Sequence, residues 1–337
     1  MPPLVCDLII VVFLFYHIPK DIFIYIKRML DKSSKIYVAG HKGLVGSAIV
    51  RKLTSEGYTN LVFRTSQELD LTIQADVDNF FKSENIEYVF LAAAKVGGIM
   101  ANNVYRADFI YRNLMIQSNI LNAAYKYGVK KLVFLGSSCI YPKEYAIPIK
   151  EESLLTGPLE YTNKPYAIAK IAGIEMCTSY RKQYGCNFIA LMPTNMYGPN
   201  DNYDLENSHV MPGLLRKFIE ATKNNTPHIN LWGTGNPMRE FLHVDDFAEA
   251  CVYFMKTYND EDIINIGTGQ DITIRDLAYI IKEITEYKGE IRFDTDKLDG
   301  TLRKVLDVSK ATKLGWTYKI NLKDGIQQTY ELIKDMF

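Results

Sequence analysis

The chain has 337 residues, enough to bury a large core and to form one large or two modest domains. Lys plus Arg and Asp plus Glu number 39 each, so the formal net charge is 0, and without a basic run nothing points to a nucleic-acid partner. The five cysteines (Cys6, Cys139, Cys177, Cys186, Cys251) are scattered without C-x-x-C spacing, which argues against a zinc site or a disulfide framework and for a reducing, cytoplasmic setting.

The first stretch stands apart. Leu8 to Tyr16 is apolar, His17 to Asp21 interrupts it, and a second apolar piece from Ile22 to Ile26 runs into Lys27 and Arg28. A membrane span needs about 20 apolar residues, which neither piece reaches. No positive segment precedes the first piece and no small-residue cleavage site follows it, so a signal peptide fits poorly. Residues 1–34 are expected to be a dispensable extension rather than a membrane-surface anchor.

From Lys35 the pattern becomes regular. Ile36 to Ala39 is a short apolar strand, and Gly40, Gly43 and Gly46 follow as G-x-x-G-x-x-G before a helix from Ser47 to Leu53. Glycines let a backbone turn sharply and approach a pyrophosphate, while the helix N-terminus offers free N–H groups. A bare glycine turn is weak evidence, but on the first strand of a βαβ series it indicates a dinucleotide. The second strand, Leu61 to Phe63, is followed by Arg64, and Lys42 lies inside the turn. An acid at that edge would accept from a free ribose 2′-hydroxyl; two cations and no acid favour the 2′-phosphate of NADP(H). Glu87 to Ala94 is a third strand ending in small residues, and Asn113 to Tyr127 has helical apolar spacing that ends at Gly128.

The fourth strand, Leu132 to Leu135, opens onto Gly136, Ser137, Ser138 and Cys139, and Tyr166 and Lys170 follow at helical i,i+4 spacing in a helix expected to reach Tyr184. An ammonium beside a phenol is expected to lower the phenol's pKa and make Tyr166 a proton donor to a carbonyl that receives hydride. A lone Y-x-x-x-K is usually an exposed pair, but after a glycine-turn strand and a serine-bearing strand end it indicates a reductive site. Phe188 to Leu191 is a further strand, followed by Pro193, Thr194, Asn195 and Met196. Alternating helices and continuous apolar strands predict an α/β fold: a Rossmann-type, doubly wound parallel sheet with a smaller α+β substrate-binding lobe. The cofactor-binding part is expected over 35–196, with about 239–258 returning to it, and the lobe mainly over 197–337.

Gly40 to Gly46, Ser137, Tyr166 and Lys170, with Arg239 to Asp246, resemble the extended short-chain dehydrogenases/reductases that act on nucleotide sugars. The longer strings Ala92–Ile99, Gly136–Pro142, Pro165–Gly173, Met192–Asn195 and Asn207–Val210 are similar to its NADPH-dependent 3,5-epimerase-4-reductases of GDP-4-keto-6-deoxy-D-mannose, and the likeness covers the chain from about Lys35 onward. The resemblance implies that Ser137 and Tyr166 bond the C4 carbonyl oxygen, that Lys170 holds the nicotinamide ribose, and that Cys139 and His209 are the epimerisation base and acid. It further implies that Leu135, Pro193, Thr194, Asn195, Met196 and His209 line the cofactor and that Lys217, Trp232, Arg239, Asp299 and Arg303 bind the GDP-sugar. The chain departs from the family at Ser66, where its better-known members carry a second arginine for the 2′-phosphate. The superfamily also implies a homodimer paired through the helices at 113–127 and 166–184.

The residue types suit that chemistry. Protons on C3 and C5 flank a C4 ketone, so their removal gives enolates stabilised by the oxygen that Ser137 and Tyr166 hold. A thiol with a reference pKa of about 8.5 and an imidazole of about 6.5 bracket neutral pH, as two-face proton transfer requires. The bland alternatives are a small buried hydrophobe for Cys139 and a loop residue for His209; His41, His228 and His243 take turn, surface and packing roles. A 4,6-dehydratase would carry an acidic pair where this chain has Ser138 and Cys139. A simple C4 epimerase has no use for Cys139 and His209, and a non-catalytic dinucleotide sensor would not need Ser137, Tyr166 and Lys170. A membrane-attached sterol dehydrogenase would suit the apolar leader, but not Lys217, Arg239 and Arg303, which fit a diphosphate.

Overall fold

Continuous apolar runs set the architecture, because a parallel strand covered by helices on both faces needs apolar side chains on each. A computed structural model describes residues 30–337, apart from residues 206 and 298 and the side chain of residue 99. The four longest strands of the main sheet are buried along their whole length: β1 (Ile36–Ala39), β3 (Tyr88–Leu91), β4 (Lys131–Leu135) and β5 (Phe188–Pro193). With β2 (Leu61–Val62) and β9 (Ile264–Ile266) they form a six-stranded parallel sheet in the order β2-β1-β3-β4-β5-β9. The order reverses between β1 and β3, and a crevice opens at their carboxyl ends, the position where open α/β sheets bind ligands.

Alternation along each strand sends successive side chains to opposite layers. Ile36 and Val38 pack with Ala48, Ile49 and Leu53 of α1 (Leu44–Ser55) and with Phe247, Cys251 and Phe254 of α7 (Val244–Thr257). Tyr37 and Ala39 pack with Phe80 and Phe81 of α2 (Gln74–Glu84), with α4 (Arg106–Lys126), which follows the short α3 (Ile99–Val104), and with α5 (Lys164–Tyr184). The doubly wound parallel sheet predicted from the sequence is therefore present.

After β5 a single residue, Thr194, carries the chain into β6 (Asn195–Tyr197) of a second sheet. There β8 (Met238–His243) pairs antiparallel with β10 (Asp271–Thr273) and parallel with β6 and β12 (Arg303–Lys304). β7 (His228–Trp232) and β11 (Glu290–Asp294) form a parallel pair beside them. A separate apolar cluster joins these strands to α6 (Val210–Lys223), α8 (Ile274–Ile284) and α10 (Leu322–Ile333), while α9 (Ser309–Lys313) places Ala311 in the cluster shared by α1 and α7.

The structure adjusts two readings of the sequence. The helix expected over 113–127 begins seven residues earlier, because Phe109 continues the buried stripe, among the charged residues Arg106, Asp108 and Arg112 that mask it in the sequence. The expected extension lies outside the described residues except for 30–34, and Leu30 packs against the sheet core with its carbonyl accepting from the Tyr58 hydroxyl at 3.4 Å. Among the described residues no helix is long and apolar enough to cross a membrane.

One helix-to-strand contact matters for the site. A Cβ on Gly173, in the middle of α5, would lie 2.3 Å from the Phe134 ring of β4. The missing side chain lets α5 press onto β4 and brings Lys170, one turn earlier, to the end of that strand. Helix propensity alone favours alanine over glycine by about 0.5–1 kcal/mol, so Gly173→Ala separates the two effects. Overpacking at the strand is expected to win, with a net loss of about 1–3 kcal/mol in denaturant unfolding.

Candidate active site

The site is assembled at the carboxyl ends of β1, β3, β4 and β5. Gly40 has φ +84°, and a Cβ on Gly46 would fall 2.1 Å from the Gly40 carbonyl oxygen, so the turn after β1 closes only with glycine at both places. Gly43 stands at the N-cap of α1 without a side-chain capping bond, which leaves that helix end open to an anion. Lys42 is exposed in the turn. Arg64 follows β2, donates to the Phe63 carbonyl at 2.6 Å and forms an ion pair with Glu84, which Lys35 also contacts at 2.8 Å. The cradle fits a dinucleotide pyrophosphate, with two cations at the edge where a 2′-phosphate would lie and Ser66 exposed beside them.

At the end of β4 a 3-10 turn over Ser138–Ile140 begins at Ser137, whose Oγ accepts from the Cys139 N–H at 3.2 Å. The Tyr166 hydroxyl faces the Ser137 side chain and the Cys139 sulfur. Lys170 is 4% exposed; its Nζ donates to the Leu135 carbonyl at 2.8 Å and sits 5.8 Å from the Tyr166 ring centroid. Ser137, Cys139, Tyr166 and Lys170 are thus brought together.

The expectation that Lys170 lowers the Tyr166 pKa is corrected. Burial dominates at both groups: it pushes the Tyr166 phenol well above its ordinary value, reinforced by Cys139, and brings the Lys170 ammonium down to about 8. Tyr166 is held as a phenol, protonated and able to donate.

His209 comes from a different part of the chain. It is the N-cap residue of α6, at the end of a loop tied to the segment after β3 by the Gly98 N–H, which donates to the Asn207 carbonyl at 2.9 Å. That segment is fixed by Asn113, whose Oδ1 accepts from the Lys95 N–H and whose Nδ2 donates to the Lys95 carbonyl, both at 2.9 Å. The imidazole is open to solvent within a concave surround, and desolvation lowers its pKa. Pro193, Thr194, Asn195 and Met196 form the wall between the two sheets: the Thr194 N–H donates to Ile266, and the Asn195 Nδ2 donates to the Glu240 carbonyl at 2.8 Å.

On the second sheet, Arg239 donates to the Thr301 carbonyl at 2.6 Å, and Asp299 accepts from the Thr234 N–H at 2.9 Å and from its hydroxyl at 2.7 Å. Trp232 is 64% exposed at the end of β7, two residues from Thr234, and Lys217 is partly buried two turns along α6 from His209, with its pKa lowered by burial. Arg303 is not brought into this group. It pairs in register with Met238 rather than Arg239, so it lies on the opposite face of the sheet, and its guanidinium is held by Asp271 at 2.5 Å.

The sequence reading passed over two residues. Glu240 has no solvent exposure; its Oε1 accepts from the Thr268 and Gly269 N–H groups at 2.6 and 2.8 Å, and its Oε2 from Leu306 at 2.8 Å. Burial raises its pKa while these bonds oppose the rise. Its place between Arg239 and Phe241 in a strand was the available signal, since an acid buried in a sheet needs several donors. Asn163, at the N-cap of α5, donates through Nδ2 to the Cys139 sulfur at 3.5 Å. Its position three residues before Tyr166 was the only hint in the sequence.

A glycine cradle, a tyrosine–lysine pair and a serine at one strand end are the parts of a nucleotide-dependent reductase or epimerase, and the chain belongs to the NAD dependent epimerase/dehydratase family, whose model matches residues 36–267. Within that family it groups with the GDP-L-fucose synthases. It is 60% identical to a protein named putative GDP-L-fucose synthase 2 from Arabidopsis thaliana, over 90% of this chain and 92% of that one. It is 53% identical to the GDP-L-fucose synthase of Escherichia coli, over 88% and 95%. Among solved structures, a GDP-L-fucose synthetase from Naegleria fowleri bound to NADP superposes with a TM-score of 0.85 at 30% identity, covering 91% of this chain and 96% of that one.

The buried ammonium has a measurable cost. Lys170 titrates below its ordinary value when folded, so between about pH 8 and 10.5 the unfolded chain binds more protons and stability rises with pH; below pH 8 the full penalty applies. Lys170→Met is therefore expected to be more stable than the parent by about 1–3 kcal/mol near pH 7, an advantage that shrinks as the pH approaches 10.5. Urea melts of both proteins across that range check the sign.

Proposed function

We propose that the chain converts GDP-4-keto-6-deoxy-D-mannose to GDP-L-fucose, inverting C3 and C5 and then reducing C4, with NADPH as cofactor. The observation that carries this reading is the meeting of a reductive pair, Tyr166 and Lys170, with a thiol, Cys139, at one strand end in a chain so similar to GDP-L-fucose synthases. A reductase alone needs no thiol beside its serine and tyrosine.

Gly40, Gly43 and Gly46 would receive the pyrophosphate, Lys42 and Arg64 the 2′-phosphate, and Lys170 the nicotinamide ribose. When bound, NADPH supplies the hydride for C4. Ser137 and Tyr166 donate to the C4 oxygen, and this pull acidifies the C–H bonds at C3 and C5. The Cys139 thiolate takes a proton from one face of the ring and His209 delivers one to the other. The lowered pKa of His209 makes its imidazolium a stronger acid, so the proton passes readily to carbon. After both inversions Tyr166, kept protonated by burial, gives its proton to the C4 oxygen as the carbonyl is reduced. Arg239, Lys217, Trp232 and Asp299 would hold the GDP moiety, and Arg303 would have to leave Asp271 to join them.

The reading extends to assembly. The outer faces of α4 and α5 expose Tyr111 and Ile168 beside a groove of about 410 Å³ lined by Arg106, Ile110 and Pro165. An apolar face of this kind on two long helices suits pairing with a second copy.

Purified protein, substrate and NADPH in deuterated water test the reaction. NADPH oxidation with deuterium at C3 and C5 is expected; no oxidation would refute the reading, and oxidation without deuterium would leave only a reductase. Cys139→Ser should slow the exchange by about 100-fold or more, whereas Tyr166→Phe should stop reduction and slow exchange far less, because Ser137 still donates to the C4 oxygen. Equal loss of both activities in each variant would contradict the division of roles.

A further inference from the structure

The N-cap of α5 is filled by a residue that does not cap. Asparagine at this position ordinarily accepts, through its side-chain oxygen, an N–H from the first turn, yet Asn163 makes no side-chain capping bond. Its carboxamide is turned to Cys139, with Nδ2 at 3.5 Å from the sulfur, while Oδ1 is buried without a hydrogen-bond partner among the described residues. Both a capping bond and a donor to Oδ1 are forgone, and among the described residues the one hydrogen bond the side chain makes is to the thiol.

The backbone around Asn163 is fixed independently of that contact. Its N–H donates to Glu160 Oε2 at 3.1 Å and its carbonyl accepts from Ala167 at 2.9 Å. Glu160 also accepts from the Thr162 N–H at 3.0 Å, and Arg106 donates to the Tyr161 carbonyl at 3.0 Å. Cys139 is fixed from its other side by its own N–H on Ser137 Oγ. The amide therefore meets the sulfur between two rigid supports, which is the condition for a directed hydrogen bond rather than a chance contact.

We propose that Asn163 is the positioning residue of the epimerisation base: its amide N–H donates to the Cys139 sulfur, aims it at the sugar carbons and stabilises the thiolate that takes their protons. An amide donor favours the anion over the thiol because the anion is much the stronger acceptor. The proposal rests on Cys139 being that base. In the step the C–H bond breaks and an S–H bond forms; the electron pair released at carbon makes the C=C bond of the enolate, and the carbonyl π pair moves onto the C4 oxygen.

A capping role and a thiolate role order the same substitutions differently. Serine and aspartate cap nearly as well as asparagine and alanine does not, so a capping role places Asn163→Ser and Asn163→Asp above Asn163→Ala. A thiolate donor places Asn163→Ser first, Asn163→Ala next and Asn163→Asp last, because a carboxylate repels the anion. Exchange of deuterium into C3 and C5 of GDP-4-keto-6-deoxy-D-mannose, with NADP+ filling the cofactor site so that no reduction intervenes, reads the second order; thermal melts read the first. Asn163→Ala is expected to slow exchange about 10-fold and Asn163→Asp about 100-fold, as for loss of a hydrogen bond to a charged group and its replacement by repulsion. Melts should keep Asn163→Asp at or above Asn163→Ala.

Exchange in Asn163→Asp equal to or faster than in Asn163→Ala would overturn the proposal. If Asn163→Asp does not fold, exchange in Asn163→Ala equal to that of the parent does the same. Cys139→Ala separates the two levels. Loss of exchange there, with Asn163→Asp unaffected, refutes the positioning role alone; exchange that survives in Cys139→Ala refutes the base assignment on which it rests.

Discussion

A lysine side chain buried to within 4% of solvent, donating to the last carbonyl of β4, is the contact from which the site is arranged. It is possible only because Gly173 lets α5 lie against Phe134, and it sets the height of Tyr166 above Ser137. Burial then acts on both partners in useful directions. The ammonium loses part of its hold on its proton, and the phenol keeps its own more firmly than it would in water. The reductive pair is a phenol that stays protonated beside an amine made expensive to bury, and the cost is recovered in positioning rather than in stability.

Around that contact, polar groups without solvent tie distant segments together. Glu240 collects three backbone N–H groups from the turn after β9 and from the strand region at Leu306. Its neighbour Arg239 faces the cluster with Asp299, so the clamp and the guanidinium are adjacent residues on opposite faces of one strand. Asn265 does similar work beneath the thiol: its Oδ1 accepts from the Tyr141 hydroxyl at 2.5 Å, and its Nδ2 donates to the Ile149 carbonyl at 3.0 Å. The loop that carries Cys139 is therefore anchored to β9, a strand supplied more than a hundred residues later in the chain.

Much of this was legible in the residues. Continuous apolar strands, the glycine turn and the i,i+4 spacing of Tyr166 and Lys170 signal a parallel sheet and a reductive site, because each rests on local periodicity or backbone need. What local pattern could not supply was the balance between a nearby charge and burial: the spacing puts an ammonium by the phenol, but only the packing reveals that desolvation outweighs it. Arg303 was hidden for a similar reason. A cation suits a diphosphate on composition, but strand register decides which face it occupies, and Asp271 waits on that face. Asn163 was illegible because its capping position has an ordinary explanation, and only the orientation of its amide contradicts it.

Thr194 carries a mechanical consequence. Its N–H is bonded to the six-stranded sheet at Ile266 and its hydroxyl to the second sheet at the Glu240 carbonyl, at 3.3 Å, with no spare residue between β5 and β6. Rotation of one sheet against the other would have to break that rivet at the wall between them. The two sheets are thereby held at one spacing along that wall, from the end of β5 to the start of β6. Ser137 at the end of β4 and Arg239 on β8 therefore keep a fixed separation across the crevice, set by a single threonine.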